Sequence, residues 1–187
     1  SGHEHVSPAP PGNTGDGLRL GAAVGGAIRD DLPNNAAWVP VSQPPRRDGT
    51  LGVFPHFVDR SKPGVIAVTR SGRRFVNEAD SYHDFCQAMR KACEAEGGEI
   101  CAFFIADHKT LRKYGLGFVK PAPVPYRGHI RSGYLFEGKS LRELAEKIGA
   151  DATQLEKTVD AFNEHARKGE DPEFHKGSTS YNRSLGD

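Results

Sequence analysis

The order of patterned segments predicts an α+β fold, a small mixed sheet with helices packed against it. Three observations carry this. Apolar, β-branched runs at 51–58, 64–69 and 100–106 have the length of strands. Three stretches open on a capping residue followed three positions later by an acidic or amide side chain, and each closes on glycine. The two kinds of segment come in the order strands, helix, strand, helix, helix, rather than in the regular alternation of a doubly wound parallel sheet.

Taken in order, residues 1–12 are too rich in Pro, Gly and Ser for a regular element. Asn13-Thr14-Gly15-Asp16-Gly17 then leads into Leu18, Leu20, Ala22, Ala23 and Val24 before Gly25-Gly26, the pattern of a loop, a short helix and a glycine stop. Residues 31–50 carry Pro33, Pro40, Pro44 and Pro45 around Ala36-Ala37-Trp38-Val39 and read as a linker with one apolar contact segment. The domain boundary is placed at Asn34–Asn35. Arg70-Ser71-Gly72 predicts a tight turn joining 65–69 to 73–77 as a hairpin. Ser81 with Asp84 opens a helix from Tyr82 to Glu96, Ser140 with Glu143 opens one ended by Gly149, and Asp151 with Gln154 opens one ended by Gly169. Leu155, Val159, Phe162 and Ala166 form the apolar stripe of the last. The proline-rich 121–126 reads as an extended connector or, alternatively, a peptide ligand.

Composition narrows the function. Lys plus Arg number 25 against 24 Asp plus Glu, a formal charge of +1, so no field gathers nucleic acid or anionic lipid. The longest apolar runs fall far short of the roughly 20 residues that span a bilayer, which leads to the expectation of a cytoplasmic protein. Cys86, Cys93 and Cys101 are an odd count without C-x-x-C spacing and read as small buried hydrophobes. The histidines show no ligand spacing of the H-E-x-x-H kind, so no metal is expected.

Two places offer chemistry. A glycine loop opening a helix, as at Asn13, Thr14, Gly15, Asp16 and Gly17, presents unpaired amides and a positive helix end to polar or anionic cofactor groups, although a simple capped turn has the same pattern and no G-x-G-x-x-G completes a dinucleotide site. The densest polar cluster is Arg73-Arg74-Phe75-Val76-Asn77-Glu78 followed by Ser81-Tyr82-His83-Asp84. Strand alternation puts Arg73 and Arg74 on opposite faces, so that one pairs with Glu78 and the other stays solvated, an arrangement as common in purely structural strand ends. Tyr82 at the start of a helix is a candidate proton acceptor only where nearby cations bring its pKa far below about 10.

These segments together resemble the flavoproteins that include fumarate reductase, the succinate dehydrogenase flavoprotein subunit and 3-ketosteroid dehydrogenase. Asn13–Gly17 is similar to the loop that closes the FAD-binding portion, and Gly72-Arg73-Arg74-Phe75-Val76-Asn77-Glu78 to the cap-domain strand. Leu141-x-x-Leu144-Ala145-x-Lys147-Ile148-Gly149, then Leu155-x-x-Thr158-Val159-x-x-Phe162-Asn163 and Gly169-x-Asp171-Pro172-x-Phe174, resemble the second helical pair and return segment. The resemblance implies FAD as cofactor, with residues 1–34 ending the first FAD-binding segment, 35–170 forming the cap or substrate domain, and 171–187 returning towards a second FAD-binding part. It implies further FAD-binding sequence on both sides, and a 187-residue piece inactive alone. Where C4-dicarboxylate reductases carry an arginine three residues after the motif's glutamate, this chain has Ser81, which disfavours fumarate or succinate. Glu78-Ala79-Asp80-Ser81-Tyr82 is similar to the 3-ketosteroid dehydrogenase segment whose tyrosine acts near the carbon losing a proton. The implied catalytic set is Tyr82, with Glu78 and Arg74 orienting the strand end, acting on CH–CH bonds of a hydrophobic ketone or enone. A stand-alone binding module and a purely structural domain are the other classes.

Overall fold

A computed structural model describes residues 5–7, 9–34 and 36–186, so Asn35, one side of the expected boundary, lies outside the described residues. After α1 (Asp16–Ala23) come β1 (Val41–Ser42), β2 (Phe54–Pro55), a 3₁₀ turn (Asp59–Ser61) and β3 (Ile66–Val68). These are followed by α2 (Tyr82–Ala95), β4 (Phe103–Ile105), α3 (His108–Tyr114), α4 (Arg127–Arg131), α5 (Leu141–Ile148), α6 (Ala152–Ala166) and α7 (Ser180–Gly186).

The class is mixed helix and sheet, but the sheet is not one mixed sheet. β1 pairs with β2, and β3 with β4, each antiparallel. β3 is buried throughout and divides the core. Ile66 and Val68, with Phe103 and Ile105 beside them, face Ala145, Ile148 and Leu155 of α5 and α6. Ala67, on the opposite face by strand alternation, meets Val76 and Phe85 with Phe104 and Met89.

The expected hairpin of 65–69 with 73–77 reduces to a single bridge between Val68 and Arg74. The reason is local: the Glu78 carboxylate accepts the Ala67 N–H at 3.0 Å, filling the place a neighbouring strand's carbonyl would take. The three capped helices start where expected, with Ser81, Ser140 and Asp151 accepting from the amides of Asp84, Glu143 and Gln154. On α6, Leu155 is buried and Val159 and Phe162 pack beside it, but Ala166 is exposed. The 121–126 stretch forms a turn closed by Val124 N–H on the Pro121 carbonyl, not an extended connector.

Turn 70–72 docks on the start of α6. Asp151 N–H bonds the Arg70 carbonyl at 2.8 Å, and Thr158 Oγ1 donates to the Gly72 carbonyl at 2.7 Å. Gly72 has φ +73°, and a Cβ there would lie 2.7 Å from Leu155 N. Gly72→Ala is therefore expected to destabilise strongly: the left-handed backbone costs roughly 1–2 kcal/mol, and crowding immobile backbone adds about 1–3 kcal/mol. Urea denaturation measures the loss, and a change under 1 kcal/mol (about a fivefold shift in the equilibrium) would show that the turn can move.

The described residues between 5 and 34 are all exposed, and no α1 side chain is buried. Residues 171–186, by contrast, are tied into the same packed unit as the sheet. Asn182 is buried against Asn77 and Ala79, and Ser61 Oγ reaches the Leu185 carbonyl.

Candidate functional site

Arg74 lies at the centre of a buried ion network. Its Nε and Nη2 donate to the two Glu78 carboxylate oxygens at 2.9 and 2.8 Å, and Nη1 and Nη2 donate to Asp171 at 2.8 and 2.9 Å. Phe162 and Phe174 flank the guanidinium with ring centroids 5.1 and 4.9 Å away. Lys176 Nζ stands 3.5 Å from Glu78 and donates to the Val65 carbonyl at 2.5 Å. Burial alone would lower the Arg74 pKa, but hydrogen bonds to Asp171 and Glu78 hold it above the ordinary arginine value. Lys176 moves the other way, pushed down by burial although Glu78 opposes it.

Of the two arginines, then, Arg74 is the paired one. Its side chain is 1% exposed and that of Glu78 0%. Both side chains are engaged with each other, with Asp171 and with the Ala67 amide, contacts that hold the turn leading into α2.

Tyr82 is brought to a different place. It is the first residue of α2, half-buried, with its ring edge-on to Phe57 at 5.2 Å. Two clamps hold this platform. Ser81 caps the helix, and the fully buried Arg60 donates from Nε to the His56 carbonyl at 3.1 Å and from Nη1 to the Glu78 carbonyl, with its guanidinium over the Phe85 ring. Arg60 thus ties the segment bearing Phe57 to the segment bearing Tyr82. Among the described residues the Tyr82 hydroxyl has no hydrogen-bond partner.

The 13–17 loop is a third, separate location. Gly15 caps α1 with φ 88°, and nothing lies within 4 Å of a Cβ built at Gly15 or Gly17. An open glycine turn at a helix start leaves room for a cofactor's polar groups to approach the backbone of Asn13, Thr14, Gly15, Asp16 and Gly17. Arg19 ion-pairs Asp16 within the same turn.

Side chains that spacing did not single out also assemble. His56 Nδ1 lies 2.6 Å from Asp59 Oδ2, His56 Nε2 lies 2.8 Å from Ser42 Oγ, and Ser42 Oγ lies 2.6 Å from Tyr134 Oη. Ser42, His56 and Tyr134 line a cavity of about 1060 Å³ that does not include Tyr82. Only the i,i+3 pair His56 and Asp59 left a trace in sequence. Cys93 is buried, and burial pushes the half-buried Cys86 thiol up to about 12, so neither offers a thiolate. No described helix is long and apolar enough to cross a membrane.

The chain resembles known proteins along nearly its whole length. It is 45% identical over 187 residues to a 4-oxocyclohex-2-ene-1-carboxylate 5-dehydrogenase of Sinomonas cyclohexanicum, covering all of this chain and 31% of that protein. It is 35% identical over 182 residues to a 3-oxosteroid 1-dehydrogenase of Mycobacterium tuberculosis (strain ATCC 25618 / H37Rv), covering 94% of this chain and 31% of the relative. The crystal structure of 3-ketosteroid delta1-dehydrogenase from Sterolibacterium denitrificans in complex with 1,4-androstadiene-3,17-dione superposes with a TM-score of 0.73 at 31% identity, over 95% of this chain and 31% of that one. The chain therefore spans under a third of the length of these relatives. The family model described as FAD binding domain matches residues 1–185, running without a break across the expected boundary at 34. A match of that extent, on a chain whose glycine loop, capped helices and buried Arg74–Glu78 pair all fall within it, makes this protein a member of the FAD-binding-domain family, with FAD as its cofactor.

Proposed function

We propose that residues 35–170 form the substrate side of an FAD-dependent dehydrogenase that removes two hydrogens across a CH–CH bond beside the ketone of a cyclic, hydrophobic substrate, with Tyr82 taking the proton. The observation that carries this is the Tyr82 hydroxyl, unpartnered among the described residues on a ring held by Phe57, the Ser81 cap and the Arg60 clamp. A proton acceptor must be both free to meet its substrate and fixed in direction. The names of the relatives, a cyclohexenone carboxylate dehydrogenase and a 3-oxosteroid dehydrogenase, support the substrate class.

Bound FAD supplies the hydride acceptor, and the backbone at Asn13–Gly17 would hold one edge of it. Tyr82 Oη accepts the proton from the carbon next to the carbonyl as its own proton passes to a partner tyrosine supplied by the rest of the flavoprotein, and Phe57 screens the ring from water on one side. The rest of the flavin site falls, in this reading, on polypeptide beyond these 187 residues, and the 187-residue piece is inactive without it. Where the dicarboxylate branch carries an arginine, Ser81 is occupied in capping α2, which leaves that position without a cation for a carboxylate.

Anaerobic titration of the intact flavoprotein is the test. Bleaching of the oxidised flavin band by 4-oxocyclohex-2-ene-1-carboxylate or by androst-4-ene-3,17-dione is expected. No bleaching with either, together with reoxidation of the reduced flavin by fumarate, would overturn the reading.

A further inference from the structure

Ser42, His56, Asp59 and Tyr134 come from three separated stretches of chain and form one continuous hydrogen-bonded line whose direction can be read atom by atom. Asp59 Oδ2 faces His56 Nδ1 at 2.6 Å and accepts the Gly117 N–H at 2.8 Å. A carboxylate only accepts, so an imidazole with one proton carries it on Nδ1 and leaves Nε2 as an acceptor. Nε2 then takes the hydrogen of Ser42, 2.8 Å away, and Ser42 Oγ takes that of Tyr134, 2.6 Å away. Tyr134 Oη itself accepts the Phe118 N–H at 3.0 Å. Every proton in the line points inward. What Tyr134 offers outward is an oxygen lone pair.

The closure is built with little tolerance. Gly117 has φ +57°, and a Cβ there would stand 2.6 Å from Tyr134 Oη and 2.9 Å from His56 Cε1, so only glycine lets the loop approach this closely. The His56 ring is wedged against Phe54 and Phe104. Burial would raise the Asp59 carboxyl, but the hydrogen bonds from His56 and the Gly117 amide outweigh it and hold Asp59 below the usual carboxylate range. The line therefore ends on an anion. Tyr134, with Ser42 and His56, lines the cavity of about 1060 Å³, whose walls also include Met89, Phe104 and Leu135, and which has room for a ring-sized apolar ligand.

We infer that Tyr134 is a second proton-accepting group, acting on an enolisable carbonyl compound in this cavity through the Ser42–His56–Asp59 relay. The C–H bond beside the carbonyl breaks, and its electron pair moves onto the carbonyl oxygen as an enolate. The proton joins Tyr134 Oη as the tyrosine's own proton passes to Ser42 and the serine's to His56 Nε2, where Asp59 balances the imidazolium charge. Reversal returns a proton to the same carbon, or in an enone to a conjugated one, so the net reaction is hydrogen exchange or a double-bond shift and needs no oxidant. The site is distinct from Tyr82: the adjacent residues His56 and Phe57 face opposite ways, one into the relay and the other onto Tyr82. Only the ligand class rests on the function proposed above.

The experiment uses the intact flavoprotein carrying Tyr82→Phe, its flavin kept reduced under nitrogen, with cyclohexanone in D₂O and NMR detection of the hydrogens flanking the ketone. Exchange faster than in buffer is expected. Adding Tyr134→Phe or Ser42→Ala should slow it by about 10²-fold or more, the usual contribution of a positioned acid–base group. Exchange that matches buffer in the Tyr82→Phe protein overturns the inference and leaves the role of Tyr82 standing. So does unchanged exchange after Tyr134→Phe with only a lower unfolding midpoint, which is the signature of a structural clip. If Tyr134→Phe does not fold, Ser42→Ala decides, because it cuts the line while leaving the His56–Asp59 pair in place.

Discussion

Arg74→Met is expected to destabilise the fold by about 3–5 kcal/mol, the cost of removing one partner from a buried ion network. Two carboxylates lose their counterion at once: Glu78, with 0% side-chain exposure, and Asp171, with 6%. Lys176, 3.5 Å from Glu78, compensates only in part because its ammonium is also spent on backbone carbonyls. Glu78→Gln should cost less, since the amide oxygen still accepts the Ala67 N–H. Urea midpoints for the two variants test the order, and an Arg74→Met protein within 1 kcal/mol of the parent (about a fivefold shift in the equilibrium) would mean the network is hydrated or rearranges.

The same network sets an acid limit. Burial would raise the Asp171 carboxyl, but the hydrogen bonds and charge of Arg74 and the Lys176 amide hold it below the ordinary aspartate value. A carboxylate with a lowered native pKa contributes stability that is complete above its unfolded value near 3.9 and is lost as pH falls through the native one. Asp171→Asn should therefore be less stable than the parent at neutral pH and lose less of its stability on acidification.

Tyr82→Phe in the intact flavoprotein should lower the rate of flavin reduction by about 10²–10⁴-fold, the range for losing a general acid–base group. The Phe57–Tyr82 ring contact survives the change, so the fold and flavin content should not move. Stopped-flow reduction at saturating substrate reads the chemical step directly. A variant that keeps parental reduction but binds substrate more weakly would assign Tyr82 to binding instead of proton transfer.

The range of each interaction set how legible it was. Ser81, Ser140 and Asp151 mark their helices because a cap acts on an amide three residues away, and that information lies within one turn of chain. Asp107 caps α3 through the Thr110 amide, and a pattern that requires an acidic or amide residue at the third position does not catch it. The turn at Gly72 was legible, but the path of the chain beyond it was not. Past the Val68–Arg74 bridge the place beside Ala67 is taken by the Glu78 carboxylate, a side chain standing in for a strand 11 residues away. Arg74 and Glu78 were visible as charges at i,i+4. Their depth depended on Asp171 and Lys176, about a hundred residues on, which no local pattern ties to them.

Tyr82 marks the division between the two sources of information. By itself the sequence determined its place at a helix start, the family and the cofactor, since all three rest on short-range patterns. Only the tertiary structure decided that Phe57 and Arg60 brace it, that the glycine loop at 13–17 stands apart, and that Ser42, His56, Asp59 and Tyr134 join in one relay. The Ser42–Tyr134 link spans 92 residues with no shared period, and hydrogen bonds at that separation are chosen by packing, which no local spacing encodes.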